Sequence, residues 1–262
     1  MAVRFDVITL FPELFAPFQR VGVTRRAFET GLLDVHLWPL REHADGAYRR
    51  VDDRPFGGGP GMVMLVEPLV RCLAAIRSDQ LAQGAERLPV VLFSPAGQAL
   101  TQQRVQQLAQ GPGAVLLCGR YEGIDQRFID AHVDEEISMG DYVLSGGELP
   151  ALTLMDAVAR LQPGVLHDVA SHEQDSFSDG LLDCPHYSRP EVLSLPDQGE
   201  AAAMASAVPP VLMSGHHAHI ARWRREQQLA LTARRRPELI EAARARGELS
   251  KQDEYFLSQL AL

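Results

Sequence analysis

The feature that most constrains the fold is a strand, a turn and a helix that follow one another three times in the middle of the chain. The predicted strands are Leu88–Phe93, Ala114–Cys118 and Val133–Ile137, and the first two are continuously apolar. Strands of this kind are typical of a parallel sheet that helices cover on both faces. The sequence therefore predicts an α/β fold built on a parallel sheet.

Glycine-bearing loops follow all three predicted strands. The loops are Ser94–Gly97, Gly119–Gly123 and Ser138–Pro150. The helices predicted after them are Gln98–Ala109, Ile124–Ala131 and Ala151–Leu161. One such loop alone is usually a tight turn, because turns favour glycine, but three at the carboxyl ends of parallel strands favour a ligand site. None of them has the dinucleotide pattern GxGxxG or the phosphate-loop pattern GK[ST], so we expect neither bound NAD nor a triphosphate.

Further strands and helices are predicted on both sides of the three repeated units. Before the repeated units, strands are predicted at Arg4–Leu10 and Val35–Trp38, and helices at Thr24–Thr30 and Pro68–Arg77. Gln162–Asp183 has no periodicity, and three helices are predicted beyond it, at His217–Leu231, Pro237–Arg246 and Lys251–Leu260. We therefore expect a first domain at residues 1–162, a flexible linker at 163–182 and a smaller, mostly helical domain at 183–262.

Charge is distributed unevenly along the chain. The net charge is −9, from 25 basic and 34 acidic side chains, which taken alone argues against a nucleic-acid partner. Residues 121–200, however, carry 17 acidic and 3 basic side chains, whereas residues 220–246 carry eight Arg against three Glu. This pattern fits a site for a cation beside a module for phosphate, and it fits solvated helix faces about equally well.

The cysteines and the apolar segments indicate the compartment. Cys72, Cys118 and Cys184 form no CxxC pair, which favours a reducing compartment and argues against a zinc ribbon. The apolar runs are too short to span a bilayer, and residues 1–15 do not combine a basic segment with an apolar run. We expect a cytoplasmic protein without a membrane partner.

Seven motifs of this chain occur, in the same order, in one known family. They are FDVITLFPE from residue 5, VDDRPFGGGPGMVM from 51, LFSPAGQ from 92, LLCGRYEGIDQR from 116, GDYVLSGGELPA from 140, DSFSDGLLDCPHYSRP from 175 and VPPVLMSGHHAHIARWR from 208. Over nearly its whole length the chain resembles the bacterial tRNA (guanine-N1)-methyltransferases. The resemblance implies methyl transfer from S-adenosylmethionine to N1 of the guanosine immediately 3′ of the anticodon.

The same resemblance implies an unusual architecture. Members of this family are SPOUT-class methyltransferases, in which the first domain forms a deep trefoil knot that holds the methyl donor. They are obligate homodimers, and the two subunits share each active site. We expect the knot, the dimer and a tRNA partner for this chain as well.

The resemblance assigns the donor-binding residues to the three glycine-bearing loops. The residues expected to bind S-adenosylmethionine are Ser94, Pro95, Gly97, Gly119, Arg120, Tyr121, Glu122, Met139, Gly140, Asp141, Tyr142, Val143, Leu144, Ser145, Gly146, Gly147 and Pro150. Backbone groups of such loops can bind the adenine edge, and a carboxylate such as Glu122 or Asp141 suits a positively charged sulfonium. Met139 stands where many relatives have Ile, and this swap keeps the side-chain volume.

Four residues are expected to take part in the reaction. Guanine N1 carries a proton, and the resemblance makes Asp175 the base that removes it, a contribution of about 10²–10⁴-fold. It makes Arg160 the donor that stabilises negative charge at guanine O6. Glu122 is a further candidate, and Asp183 is a weaker one. From the residues alone, Asp175 is more typical of a turn, and Arg160 of a surface helix.

Contacts to tRNA are expected from four residues. By the resemblance these are Gly59, Arg189, Arg222 and Arg224. Phosphate contacts of this kind position RNA without reading its sequence.

No metal-ligand motif is visible in the sequence. His216, His217 and His219 do not share one helical face and have no adjoining Cys or carboxylate cluster, which argues against a metal site there. The resemblance nevertheless implies that activity depends on Mg²⁺. A site that involves Glu122 and Asp175 is a conjecture.

Two other functions remain open at this point. A knotted ribose 2′-O-methyltransferase has no need of a carboxylate at guanine N1, so residues 175–187 argue against it. A noncatalytic RNA-binding module predicts degraded donor loops, and these loops are intact. Residues 194–207 form a longer connection than we expect of the family, and we interpret them as a surface insertion that stability tolerates.

Overall fold

The computed structural model describes residues 2–167, 174–193 and 207–260. The chain divides into two compact units, Met1–His172 and Glu173–Leu262. Part of the predicted linker at 163–182 lies outside the described residues, and its flexibility and the domain roles stay predictions. The insertion at 194–207 also lies outside them, apart from Ala207, which pairs with Val192 in an isolated antiparallel bridge.

The first unit is built on a five-stranded parallel sheet. Its strands are β1 (Val3–Thr9), β2 (Leu33–Pro39), β5 (Val90–Ala99), β6 (Gly113–Leu117) and β7 (Glu135–Ser138). Their order is β2-β1-β6-β5-β7, and every neighbouring pair is parallel, which confirms the predicted α/β fold. A short antiparallel pair, β3 (Asp52–Asp53) and β4 (Val63–Met64), lies apart from this sheet. Strand order does not test the trefoil knot, which stays a prediction.

Helices cover both faces of the sheet. They are α1 (Phe15–Phe18), α2 (Arg25–Glu29), α3 (Val66–Ala82), α4 (Gln102–Gln110), α5 (Gln126–His132) and α6 (Glu148–Ala159). Every residue of β6 is buried, and alternate residues join opposite apolar clusters. Leu116 belongs to the same cluster as Leu154 of α6, whereas Leu117 belongs to the same cluster as Leu69 of α3. A strand covered on both faces requires the continuous apolar run that the sequence has here.

β5 differs from its prediction. The sequence predicts a strand that ends at Phe93 and a turn at Ser94–Gly97, whereas β5 continues to Ala99. Phe93 and Gln98 both pair with Ile137, so the four residues between them bulge out of the ladder. The predicted helix start at Gln98 is therefore wrong. Helix α4 begins at Gln102. Thr101 is its N-cap, and the Thr101 side chain accepts a hydrogen bond from the backbone N–H of Arg104.

β1 is buried along its whole length despite its alternating polarity. Its central carboxylate, on Asp6, accepts hydrogen bonds from Arg4, Trp38 and Gln80. These bonds satisfy the buried polar groups, as burial requires. The polar positions of this strand therefore form an internal network and do not face solvent.

The second unit is mostly helical among its described residues. Its helices are α7 (Pro210–Met213), α8 (His217–Arg235), α9 (Pro237–Ala245) and α10 (Lys251–Ser258). They enclose a small apolar cluster formed by Leu181, Leu229, Ala233, Ile240, Ala243 and Leu257. A capping box in which Ser250 and Asp253 each bond the other's backbone N–H begins α10. No helix among the described residues is long and apolar enough to cross a membrane.

Candidate active site

The glycine-bearing loops of the first unit surround a cavity of about 450 Å³. Its lining comes from the bulge of β5, from the loop after β6 and from the loop after β7. Of the residues expected to bind the donor, all except Gly97 and Asp141 line this cavity. The residues that line it but were not expected are Leu92, Phe93, Ala96, Gly123, Ile124, Gln126, Ile129, Glu136, Ile137 and Ser138.

Two of the glycines hold backbone segments close together. The N–H of Gly147 donates to the carbonyl of Gly119 at 2.9 Å, and a Cβ on Gly147 would lie 2.6 Å from the Cα of Cys118. A Cβ on Gly97 would lie 2.4 Å from the carbonyl carbon of Glu136. Both positions exclude a side chain because neighbouring backbone occupies the space. Gly97 thus shapes the cavity without lining it.

Arg120 connects the two loops that face each other across the cavity. Its Nη1 donates to the carbonyl of Ser145 at 3.1 Å, and its Nε donates to the Glu148 carboxylate at 2.8 Å. Its guanidinium carbon lies 4.5 Å from the centre of the Phe11 ring. Sequence reasoning placed Arg120 here but missed Glu148. The motif GGELP contains it, but a sequence does not show which carboxylates are buried.

Glu122 lies where the glycine run of the β3–β4 connection meets the cavity. A Cβ on Gly61 would lie 2.3 Å from Oε1 of Glu122, and Gly61 has a φ of +74°. The backbone N–H of Glu122 donates to the carbonyl of Met62 at 3.0 Å. The backbone conformation of Gly61 therefore favours glycine, and a side chain there would displace the Glu122 carboxylate.

Tyr121 stands beside Glu122 in a strained conformation. Its φ is +61°, which is costly for a residue with a side chain and is typical of functional sites. Burial and the neighbouring Asp52 carboxylate raise the pKa of its phenol. The phenol is consequently protonated at neutral pH and can donate a hydrogen bond.

Cys118 directly precedes Gly119, which lines the cavity. Burial raises the pKa of the Cys118 thiol well above its ordinary value, and the nearby Glu148 carboxylate raises it further. All three cysteines are buried and free. Since the thiolate is the reactive form of cysteine, Cys118 is unsuited to covalent catalysis.

Two of the three carboxylates expected to take part in the reaction, Asp175 and Asp183, belong to the second unit. Asp175 is partly buried, and its carbonyl accepts a hydrogen bond from the N–H of Ser178 at 3.1 Å, which closes a turn. Asp183 is held locally: its Oδ1 accepts from the N–H of Cys184 at 2.6 Å, and its Oδ2 lies 2.8 Å from Nε2 of His186. These bonds favour a structural role for Asp183.

The arginine proposed to act at guanine O6 ends a helix of the first unit. Arg160 is the C-cap of α6, and its backbone N–H donates to the carbonyl of Asp156 at 3.1 Å. Its side chain is half-buried. Arg160 thus follows directly on the helix that begins at the donor loops.

The residues expected to contact tRNA differ in the contacts that they already make within the chain. Arg222 forms an ion pair with Glu226 on the next turn of α8, at 2.9 Å. Arg224 lines a cleft of about 260 Å³ with Trp223 and Tyr187, and it has no ion pair among the described residues. Gly59 and Arg189 are both exposed.

Two groups of candidate metal ligands occur among the described residues, and neither suits Mg²⁺, which prefers oxygen ligands in octahedral geometry. In the first group, Asp6, His36 and Asp79, both carboxylates already pair with Arg4. A second group, Asp183, Cys184 and His186, includes a thiol and an imidazole. The rings of His216 and His219 stack at 3.9 Å and belong to neither group. We therefore assign no Mg²⁺ site.

Comparisons with known proteins agree on one family. The model of the family described as tRNA (Guanine-1)-methyltransferase TrmD matches residues 3–242. Two curated proteins named tRNA (guanine-N(1)-)-methyltransferase are similar throughout. The one from Methylibium petroleiphilum is 74% identical over 98% of each chain. The one from Leptothrix cholodnii is 69% identical over 99% of this chain and 100% of its own.

A solved structure is similar as well. The crystal structure of tRNA (m1G37) methyltransferase from Aquifex aeolicus matches with a TM-score of 0.68 and 33% sequence identity, over 93% of this chain and 97% of that one. Sequence and fold thus lead to the same assignment. This chain belongs to the tRNA (guanine-1)-methyltransferase family TrmD.

Proposed function

We propose that this enzyme transfers a methyl group from S-adenosylmethionine to N1 of the guanosine immediately 3′ of the anticodon in tRNA. One observation carries the proposal: in a member of this family, the donor loops are intact and surround a cavity of about 450 Å³. A noncatalytic RNA-binding module has no need of such a cavity.

The lining of the cavity fits the methyl donor. Apolar side chains such as Leu92 and Ile137 and the backbone of the glycine-bearing loops suit an adenosine, whereas Glu122 and Glu136 offer carboxylates. When bound, S-adenosylmethionine supplies an electrophilic methyl group on a positively charged sulfur. The carboxylates favour a cation in this cavity.

Asp175 is the base in this proposal. Guanine N1 becomes a nucleophile only when it loses its proton, and a carboxylate within hydrogen-bond reach can accept that proton. Arg160 stabilises the negative charge that then develops on O6. We give Asp183 no step, because the backbone N–H of Cys184 and the ring of His186 already engage its carboxylate.

We further propose that the enzyme acts on tRNA as a homodimer with shared sites. Exposed apolar side chains follow β1 in the first unit: Phe11 is 43% exposed, Leu14 43% and Val21 62%. Contiguous exposed apolar patches mark interaction surfaces, and these three side chains lie within eleven residues of one another in the sequence. Gly59, Arg189, Arg222 and Arg224 are the proposed tRNA contacts.

A methyl-transfer assay on tRNA transcripts tests the proposed function. We expect N1-methylguanosine, identified by mass spectrometry of the digested product, from a transcript with G after the anticodon and no methylation when that base is A. A ribose 2′-O-methyl product would instead support the alternative enzyme. Absence of any methylation of the correctly folded transcript with G after the anticodon would contradict both.

A further inference from the structure

Glu148 is a buried carboxylate beside the donor cavity that the reaction described above does not use. It begins α6, and its side chain is 0% exposed. Its Oε2 accepts from Nε of Arg120 at 2.8 Å, and its Oε1 accepts from the hydroxyl of Thr9 at 2.9 Å. An ionised carboxylate at this depth must be compensated, and Arg120 compensates it.

Arg120 extends this ion pair into the wall of the cavity. Arg120 lines the cavity, whereas Glu148 does not. Gly146 leaves room for the guanidinium, since a Cβ on that residue would lie 2.2 Å from Nε of Arg120. The hydrogen bond from Arg120 to Ser145 then joins the loop after β6 to the loop after β7. The positive charge of Arg120 therefore acts within the cavity. The negative charge of Glu148 balances it.

If the proposed function is correct, this balance of charge affects the binding of the donor more than the binding of the product. S-adenosylmethionine has a sulfonium and carries one more positive charge than S-adenosylhomocysteine, whose sulfur is a neutral thioether. An unbalanced guanidinium in the wall repels the first ligand and is nearly indifferent to the second. We propose that Glu148 sets the preference of the cavity for the cationic donor over the neutral product by cancelling the charge of Arg120.

Calorimetric titration of the full-length enzyme with each ligand tests this proposal. The Glu148→Gln variant keeps the size of the side chain and removes its charge. We expect the ratio of the donor Kd to the product Kd to rise by about fivefold or more, because one unit charge then acts on the sulfonium alone. Adding Arg120→Gln to that variant removes the unbalanced charge and is expected to return the ratio to the wild-type value.

Thr9→Val is the matched control. It removes the second hydrogen bond to the same carboxylate without changing any charge, and Thr9 does not line the cavity. We expect both ligands to bind more weakly and their ratio to stay at the wild-type value. A purely structural role for Glu148 would make Glu148→Gln behave like this control.

The outcomes separate the two proposals. Wild-type enzyme that binds neither ligand contradicts the proposed function. Wild-type enzyme that binds both, with a Glu148→Gln variant that weakens both equally or a double variant that does not restore the ratio, overturns the role of Glu148 alone. If Glu148→Gln does not fold, the single variant Arg120→Gln serves instead. It leaves a negative charge unbalanced and must shift the ratio towards the donor, and a shift towards the product overturns the proposal.

Discussion

Residue type is a good guide to function in the donor loops of the first unit. It is a poor guide in the arginine-bearing helices of the second unit. In the loops, Gly97 and Gly147 stand where a Cβ would meet backbone at 2.4 and 2.6 Å, so the residue type follows from the geometry. In the helices, many of the arginines are already paired with carboxylates. A motif with a steric reason predicts function more safely than a count of charges does.

The number of arginines in the second unit overstates how many are available to bind phosphate. Of the eight arginines in residues 220–246, five form ion pairs within the second unit: Arg222, Arg225, Arg236, Arg244 and Arg246. The other three, Arg224, Arg234 and Arg235, are exposed and have no ion pair among the described residues. We expect these three to contribute most of the attraction to phosphate.

The largest expected effect tests whether the second unit contributes chemistry as well as binding. In Asp175→Asn the side chain keeps its size but cannot accept the N1 proton. We expect single-turnover methylation to fall by about 10²–10⁴-fold, as for loss of a general base, with donor and tRNA affinities within a few-fold of wild type. Rapid-quench assays check the rate. A wild-type rate would remove Asp175 from the mechanism and leave the second unit a binding role.

A mixture of two inactive variants locates the base relative to the donor. Asp175→Asn chains keep the donor loops, and chains with defective donor loops keep the base. If each site takes its base from one subunit and its donor from the other, mixed dimers regain one working site. If both come from the same subunit, no activity returns.

The next largest effect tests the steric argument for the donor loops. In Gly147→Ala the new Cβ cannot fit against the backbone of Cys118, so the loops must separate and break the hydrogen bond to Gly119. We expect a loss of about 1–3 kcal/mol in the free energy of unfolding, as for overpacking, together with loss of donor binding. Donor binding is lost in this case because the two loops move apart, and the new methyl group does not itself need to occupy the space of the donor.

Gly119→Ala is the control for this prediction. Its Cβ would make ordinary contacts, at 3.5 Å from Ile124 and 3.7 Å from Leu92. We expect its melting temperature to stay close to that of the wild type in a thermal unfolding experiment. Equal destabilisation by both substitutions would contradict the steric explanation.

Residues with a purely local signal could be predicted from the sequence. Strand β6 follows from an apolar run between two glycine breaks, and the cavity loops follow from glycine placement after each strand. The bulge in β5 could not be predicted, because Pro95 and Gly97 are typical of a turn and only the pairing with Ile137 shows that the strand resumes. Glu148 could not be predicted either, since its burial depends on Thr9 and Arg120, which are far from it in the sequence.

A smaller effect tests the distinction between paired and unpaired arginines. Arg224→Ala removes a guanidinium that has no ion pair with any described residue, so we expect the slope of log Kd for tRNA against log salt to fall by about one. Arg222→Ala removes one that already pairs with Glu226, and we expect a smaller change in slope. Filter binding over a range of salt concentrations measures both. Equal slopes for the two variants would show that the ion pair does not limit contact with phosphate.

The smallest effect concerns acid stability, to which ion pairs contribute in both units. In the first unit, Arg4 lowers the pKa of Asp79 and Arg127 lowers that of Asp125. In the second unit, Arg246 lowers the pKa of Glu248 and Arg244 lowers that of Glu254. Burial by itself raises the pKa of Asp253, but hydrogen bonds from Arg225 and Ser250 bring it below the ordinary value. A lowered pKa in the folded state stabilises the protein above the pKa of the unfolded chain, and this stabilisation is lost as the pH falls through the folded value.

Among the described residues, four carboxylates of the second unit have lowered pKa values against two in the first, and the apolar cluster of the second unit is smaller. We therefore expect the second unit to lose structure at a higher pH than the first as acid is added. The two tryptophans report the units separately, because Trp38 belongs to the first and Trp223 to the second. Single-tryptophan variants, Trp38→Phe and Trp223→Phe, allow each fluorescence transition to be followed between pH 6 and about pH 2.5. Asp253→Asn is expected to flatten the pH dependence of the second unit only, since it removes a carboxylate whose protonation opposes folding. Coincident transitions for both tryptophans would mean that the units unfold together and that the ion pairs of the helices do not set the acid limit.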